Sequence, residues 1–226
     1  MTHRSKYSLV FATLAVLCWY QMWQPGRWNL LFAWPAVSFT LVALAYLWNQ
    51  PAIFGKQPSG KLRPLNIALL FPYLVFAWST WHVLRRVRRE APWHRITDQI
   101  LIGRRLLNSE VPEDVDHVID LTCEFTEPVV LRQKDYHSFP ILDASAPSVE
   151  ELLKWIETIS QFEGTILIHC AEGHGRSGLI VAALLLFTGQ AETEEESIQM
   201  IQSQRANVRL NKDQRDVLER FCELLE

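Results

Sequence analysis

The sequence predicts an α/β domain preceded by two or three transmembrane helices. Residues 1–84 contain six basic residues and no carboxylate, whereas residues 90–226 contain 12 basic and 25 acidic residues. The first region also holds seven of the nine tryptophans, a composition that does not suit a water-soluble surface. We therefore expect a membrane anchor over residues 1–89 and one globular domain over residues 90–226.

Three apolar stretches define the predicted anchor. Residues 28–48 and 65–84 are long enough to cross a hydrocarbon layer of about 30 Å as helices. Residues 8–23 form a shorter apolar run than the other two stretches. This run could pair with the second stretch as a helical hairpin or lie partly in the membrane interface. A cleaved signal peptide is the competing interpretation, but no small-x-small cleavage site follows this run. We interpret all three stretches as parts of a multi-pass anchor.

Four arginines follow the third apolar stretch: Arg85, Arg86, Arg88 and Arg89. Such a cluster favours the cytoplasmic side and binds anionic lipids. With three spans, counting gives five basic residues on each face, because Arg27 joins the cluster on one face. We expect the globular domain on the cytoplasmic side because the arginines are dense and adjacent to the membrane. Lipid headgroups explain the cluster, so we expect no nucleic-acid partner.

The globular region shows short apolar runs that alternate with helical patterns, which is typical of an α/β domain. Strands are predicted at 99–102, 117–121, 136–142 and 165–169. Three helices are predicted to begin with capping boxes, at Ser148 with Glu151, at Thr193 with Glu196, and at Asn211 with Gln214.

The strand at 165–169 leads into a loop that carries the most informative pattern. Gly173 and Gly175 permit the turns that aim backbone N–H groups at an anion beside a helix N-terminus. Cys170 lies at the mouth of this positive nest, which favours the thiolate. Arg176 can hold two oxygens of a phosphoryl group with its planar fork. The pattern therefore predicts a phosphate-binding loop with a nucleophile.

Two other interpretations of this loop are weaker. A chance Cys and Arg at this spacing would not explain the glycines or the strand-loop-helix context. A metal site at His169, Cys170 and His174 would need a fourth ligand and would also leave the glycines unexplained.

The pattern His169-Cys170-x5-Arg176-Ser177 resembles the active-site motif of the protein tyrosine phosphatase superfamily, in its dual-specificity branch. Three further segments are similar to that family: 96–103 to its first strand, 118–122 to the next strand and 210–214 to its closing helix. The resemblance covers about residues 93–226. It implies the cysteine-phosphatase fold, with a central, mostly parallel sheet flanked by helices.

The resemblance also implies the site residues. Cys170 would attack phosphorus, Asp143 would serve as acid and then base, and Ser177 would assist departure of the thiolate. Substrate would bind along the loop, at Ala171, Glu172, Gly173, His174, Gly175 and Arg176. Asp143 follows the strand at 136–142, although a plain turn residue is the alternative. Thiolate, guanidinium and carboxylate suffice for this chemistry, so no metal or organic cofactor is expected.

The four cysteines show no paired spacing, so neither a disulfide framework nor a zinc ribbon is expected. Cys123 comes directly after the strand segment 118–122 and could either reach Cys170 as a protective disulfide or remain a buried, inert thiol. A working thiolate also favours a reducing compartment.

The substrate is less defined than the chemistry. Relatives in this superfamily that act on polyphosphoinositides have lysines inside the loop, whereas this chain has Ala171, Glu172 and His174. We therefore expect a lipid with fewer phosphates, such as phosphatidylglycerophosphate. The alternatives are a phosphoprotein at the membrane, or a phosphate-binding pseudophosphatase adaptor. An adaptor would normally have lost Cys170, Arg176 or Asp143.

Overall fold

A computed structural model describes residues 2–225. Three helices form the N-terminal part: α1 (His3–Trp23), α2 (Ala33–Trp48) and α3 (Pro64–Val87). The strands of the α/β part are β1 (Trp93–Arg95), β2 (Ile100–Arg104), β3 (His117–Thr122), β4 (Asp135–Ile141) and β5 (Ile166–Cys170). Its helices are α4 (Val129–Arg132), α5 (Val149–Ile159), α6 (Gly175–Phe187), α7 (Glu194–Gln204) and α8 (Lys212–Leu225).

The five strands form one sheet in the order β1-β2-β5-β3-β4. β1 is antiparallel to β2, and the other neighbours are parallel. This confirms the predicted α/β domain with a mostly parallel sheet. The carboxyl ends of parallel strands meet at the same edge, which is where open α/β sheets bind ligands. Cys170, Thr122 and Ile141 therefore end their strands at a common edge of the sheet.

The four predicted strands are confirmed to within two residues at each end. β1 was not predicted. It has three residues, too few for an alternating pattern, and it exists because Trp93–Arg95 pairs with the edge of β2.

The predicted capping boxes are present at Ser148 and at Asn211. Asn211 Oδ1 accepts the Gln214 N–H at 3.0 Å, and the Gln214 side chain accepts the Asn211 N–H at 3.1 Å. At Thr193 only half of the box forms. Its hydroxyl accepts the Glu196 N–H, but the Glu196 carboxylate accepts from the N–H of Glu192 at 2.7 Å.

Among the described residues, two segments are long and apolar enough to cross a membrane, Asn29–Trp48 and Pro64–Val87, and they match the second and third expected spans. The first expected span, 8–23, lies in α1, which is not one of these segments. Only 33% and 22% of their apolar windows are buried. At the turn between α1 and α2, Trp23 and Leu30 are 79% and 74% exposed. On a soluble protein, so much exposed apolar surface would mark a site of contact with a membrane or with another protein.

Proline 72 lies inside α3 and explains one contact between the helices. Because Pro72 has no N–H, the Ala68 carbonyl loses its helical donor. The indole N–H of Trp34 donates to that carbonyl at 2.8 Å. α2 and α3 are thus joined at the position where α3 lacks a backbone hydrogen bond.

The helical part packs directly against the carboxyl edge of the sheet. Phe11, Tyr46 and Tyr73 share one buried apolar cluster with Cys123 and Leu142 of the α/β part. The two parts therefore share a core, although their compositions differ sharply.

The α/β part contacts α3 at both ends of this helix. Before α3, the Lys56 ammonium lies 2.6 Å from Asp120 and is almost fully buried. Near its end, the Trp81 indole donates to the Ala171 carbonyl at 2.8 Å. α3 therefore lies along the α/β part rather than pointing away from it.

Replacing Lys56 by methionine is expected to lower the free energy of unfolding by about 3–5 kcal/mol, because it leaves a buried carboxylate without its cation. Burial raises the pKa of Asp120, but the charge of Lys56, followed by His169 and the hydrogen bonds from Lys56 and Tyr136, together outweigh burial and hold that pKa well below its usual range. The thermal midpoint of the full chain in detergent measures the loss. Lys61→Met is the matched control, since Lys61 is exposed in the same connection. Equal thermal midpoints for the two variants would contradict a stabilising ion pair between Lys56 and Asp120.

Candidate active site

The predicted strand, loop and helix are all present around Cys170. Cys170 ends β5, and α6 begins at Gly175. Gly173 has a φ of +76°, and a Cβ on it would lie 2.4 Å from the carbonyl carbon of Gly103 in β2. Only glycine fits there, because a side chain would collide with the neighbouring strand. This tight turn brings the loop back over the end of the sheet.

The Cys170 thiol is surrounded by donors. Its Sγ accepts the Gly173 N–H at 3.2 Å and lies 3.5 Å from the Ser177 hydroxyl. It is 3% exposed and faces the N-terminal end of α6. Backbone donors and the positive end of a helix dipole stabilise a thiolate. Ser177 is in position to donate to the sulfur.

Arg176 is held in place by a carboxylate that the sequence analysis did not identify. Its two terminal nitrogens lie 2.8 and 3.1 Å from the Glu124 carboxylate, a two-point ion pair. It also donates to the Ile141 carbonyl at 2.9 Å. Arg176 is 2% exposed, so its fork has a fixed direction. Burial raises the pKa of Glu124, but the charge of Arg176 and the hydrogen bonds that the carboxylate accepts together outweigh burial, so the pKa is lowered.

Asp143 follows β4 and lies beside this pair. Its Oδ1 is 3.3 Å from Arg176, and its side chain is 56% exposed towards the cleft. The pKa of Asp143 is raised: desolvation by the surrounding protein is the main cause, Arg176 opposes it, and the charges of Glu124 and Glu172 add to it. A raised pKa keeps a carboxylic acid protonated closer to neutrality, as a proton donor requires.

The turn after Asp143 is fixed by contacts with α8 and with the helical part. Ala144 has a φ of +53°, a left-handed conformation that a non-glycine residue adopts only when its surroundings hold it. Asn211 donates to the Ala144 carbonyl at 2.9 Å, and Ser145 donates to Asn49 at 2.7 Å. Asn49 lies directly after α2, so the helical part helps to position Asp143.

The outer side of the loop is bound by the segment that follows α3. The Glu172 carboxylate pairs with Arg88, and His174 lies 2.7 Å from Glu90. Arg205, which the sequence analysis also missed, donates to the Gly173 carbonyl at 2.8 Å and is buried. These contacts leave the inner side of the loop, with Cys170, facing the cleft.

A cavity of about 180 Å³ lies over Cys170 and Arg176 and is bordered by Asp143. Its rim adds a basic residue that was not predicted, the exposed Arg209. The structure thus gathers all four predicted catalytic residues around one small cleft.

Cys123 is a free thiol and forms no disulfide with Cys170. Its pKa is raised far above the usual value, mainly by burial.

Comparisons with known proteins agree with this geometry. Residues 108–222 match the family described as dual specificity phosphatase, catalytic domain. The predicted tyrosine phosphatase 197R of Invertebrate iridescent virus 6 is 33% identical over 94 residues, which cover 36% of this chain and 35% of the viral protein. The match thus spans about a third of that relative's length.

Solved structures show the same fold. Tk-PTP in its active form is 28% identical, with a TM-score of 0.52, over 58% of this chain and 97% of that chain. PTPMT1 in complex with PI(5)P is 22% identical, with a TM-score of 0.51, over 59% of this chain and 96% of that chain. The fold and the site define a cysteine-based phosphatase. The chain belongs to the dual-specificity phosphatase family.

Proposed function

We propose that this phosphatase is a membrane-anchored phosphomonoesterase that acts on a lipid phosphate such as phosphatidylglycerophosphate. One observation carries the lipid assignment: the apolar helices line a second cavity, which adjoins the cleft over Cys170 at Asp143, and their outer faces are exposed. A phosphate group attached to a membrane lipid would therefore meet the site at the bilayer surface.

In the first step of the proposed reaction, the Cys170 thiolate attacks phosphorus and forms the S–P bond. Arg176 and the loop N–H groups hold the phosphoryl oxygens. The bond from phosphorus to the ester oxygen breaks, and the protonated Asp143 gives its proton to the leaving oxygen. The products are an alcohol and a cysteinyl-phosphate.

In the second step, the ionised Asp143 takes a proton from water, whose oxygen attacks phosphorus. The S–P bond breaks and releases inorganic phosphate. Ser177 donates to the departing sulfur, which it approaches to 3.5 Å. The enzyme returns with a thiolate and a protonated Asp143.

The charge of the loop supports a substrate with few phosphates. Ala171, Glu172 and His174 add no fixed positive charge, and Glu172 is itself paired with Arg88. PTPMT1, which shares this fold, was solved with the lipid phosphate PI(5)P, so the fold can accommodate a lipid phosphate.

The proposed location is an integral, multi-pass membrane protein with a cytoplasmic catalytic part, where a free thiol persists. Arg86 and Arg89 are exposed beside the apolar helices and would contact anionic lipids. Arg85 is half-buried near Glu110, and Arg88 pairs with Glu172.

A phosphoprotein substrate is the second candidate, supported by the viral relative described as a tyrosine phosphatase. The adaptor alternative does not fit a chain that keeps Cys170, Arg176 and Asp143 together.

The test compares phosphate release by the full chain in detergent from phosphatidic acid, phosphatidylglycerophosphate, phosphatidylinositol monophosphates and a phosphotyrosine peptide. Cys170→Ser is the control for each substrate. We expect the highest kcat/KM with a lipid phosphate and no turnover in the variant. A preference for the peptide would refute the lipid assignment and support the second candidate.

A further inference from the structure

We infer that the apolar helices form part of the substrate site, and that the substrate is a lipid whose single phosphate is esterified directly to its apolar body. This inference rests on the proposed lipid phosphatase function, narrows its substrate class, and replaces phosphatidylglycerophosphate as the example substrate by a lipid with one phosphate.

A second cavity, of about 350 Å³, lies between α1, α2, α3 and the active-site loop. Its volume is within the usual range for small-molecule sites. Aromatic side chains from all three helices dominate its lining: Tyr7, Phe11, Tyr46, Tyr73, Phe76 and Trp81. Such a lining suits an apolar ligand better than a charged one.

The two cavities adjoin at the catalytic acid. Asp143 and Glu172 line both the aromatic cavity and the cleft over Cys170. A phosphate held by Arg176 would place its ester oxygen towards Asp143. The group attached to that oxygen would then extend into the aromatic cavity.

The aromatic cavity offers no cation to a second phosphate close to the first. Its lining contains three carboxylates, Glu124, Asp143 and Glu172, and no Lys or Arg among the described residues. Glu124 pairs with Arg176, Glu172 pairs with Arg88, and Asp143 is neutral when it acts as the acid. A phosphodiester next to the reacting group would therefore place an unpaired negative charge in an apolar lining. Phosphatidic acid, with one phosphate on diacylglycerol, therefore fits better than phosphatidylglycerophosphate.

The aromatic cavity also reaches the outer surface of α3. Phe76 lines it and is 62% exposed, and Thr80, one turn further on, lines it and is exposed. The neighbouring surface residues Val75 and Val83 are apolar and exposed. A lipid can thus enter the site sideways from a bilayer, without exposing its chains to water.

The test narrows the cavity at Thr80 in the full chain in mixed micelles. kcat/KM is measured for dioleoyl phosphatidic acid, for phosphatidylglycerophosphate and for para-nitrophenyl phosphate. Thr80→Trp is expected to lower the ratio of phosphatidic acid to aryl phosphate turnover at least tenfold, and Thr80→Leu to lower it less. Ser79→Trp is the matched control, because Ser79 is equally exposed on α3 but does not line the cavity. It should leave the ratio unchanged.

The outcomes separate this inference from the proposed function. An unchanged ratio in both Thr80 variants, or an equal fall in Ser79→Trp, would overturn the cavity assignment while lipid turnover by the wild type still supported a lipid phosphatase. Faster turnover of phosphatidylglycerophosphate than of phosphatidic acid would overturn the single-phosphate assignment. Turnover of a phosphotyrosine peptide with no lipid turnover would overturn the proposed function and the inference together.

Discussion

Replacing Asp143 by asparagine is expected to lower kcat/KM for a lipid phosphate by about 100- to 10,000-fold, the usual contribution of a general acid. An alkoxide is a poor leaving group and needs the proton that Asp143 carries. A nitrophenolate leaves without protonation, and kcat/KM reports only the first step, so the same variant should lose far less kcat/KM on para-nitrophenyl phosphate. The comparison of the two substrates isolates proton transfer from damage to the loop.

The pH dependence gives a second measure of the same role. The pKa of Asp143 is raised, and activity requires its protonated form in the first step. As pH rises through this pKa, the protonated fraction falls and kcat/KM for the lipid, which reports the first step, declines. Asp143→Asn should lose this alkaline decline.

Asp135→Asn is the matched control for both measurements. Asp135 lies at the opposite end of β4 and pairs with His117. It should keep the wild-type rate and pH profile. An equal loss of activity on the two substrates in Asp143→Asn would show that Asp143 is not the proton donor.

Replacing Glu124 by glutamine should lower kcat/KM by about 100-fold and weaken inhibition by inorganic phosphate. The change removes the anion that directs the Arg176 fork, and a small misplacement of a binding group has an effect of this size. Breaking a buried ion pair also costs about 3–5 kcal/mol of stability. Assays are therefore run well below the thermal midpoint of the variant.

Glu127→Gln provides the matched control. Glu127 is also buried and lies three residues further along the same segment, but desolvation followed by the Asp120 charge raises its pKa. Glutamine keeps the shape of this side chain, which lies 3.8 Å from Arg105 and does not pair with Arg176, so this variant should change kcat/KM little. Equal effects of the two substitutions would mean that burial, and not the pairing with Arg176, explains the role of Glu124.

The loop around Cys170 could be predicted from sequence because its chemistry is local. Strand, glycine turns, nucleophile and arginine fall within a dozen consecutive residues, and each has a preferred conformation. Asp143 could be predicted from the sequence for a related reason, since it directly follows a recognisable strand.

Glu124 and Arg205 could not be found in this way. Glu124 is 52 positions from Arg176, and the two meet only because β3, β4 and β5 end at one edge of the sheet. Arg205 reaches the loop from the end of α7. The contact of the apolar helices with the site could not be predicted from the sequence either. The hydropathy of a helix depends on its own composition and does not show which residues pack against it.

The contacts at both ends of α3 also determine on which side of the helical part the basic residues lie. Arg4, at the start of α1, donates its N–H to Asp213, so the amino terminus lies beside the α/β part together with the 49–63 connection. Nine of the ten basic residues before Glu90 then lie on that side, and Arg27 lies at the far turn of the α1–α2 hairpin. α1 is about 30 Å long, and α2 belongs to a segment that is long and apolar enough to cross a bilayer. If, as proposed, this hairpin crosses the bilayer and returns, two crossings in place of three would remove the tie in the charge count, and the positive-inside rule would then favour an active site on the cytoplasmic side.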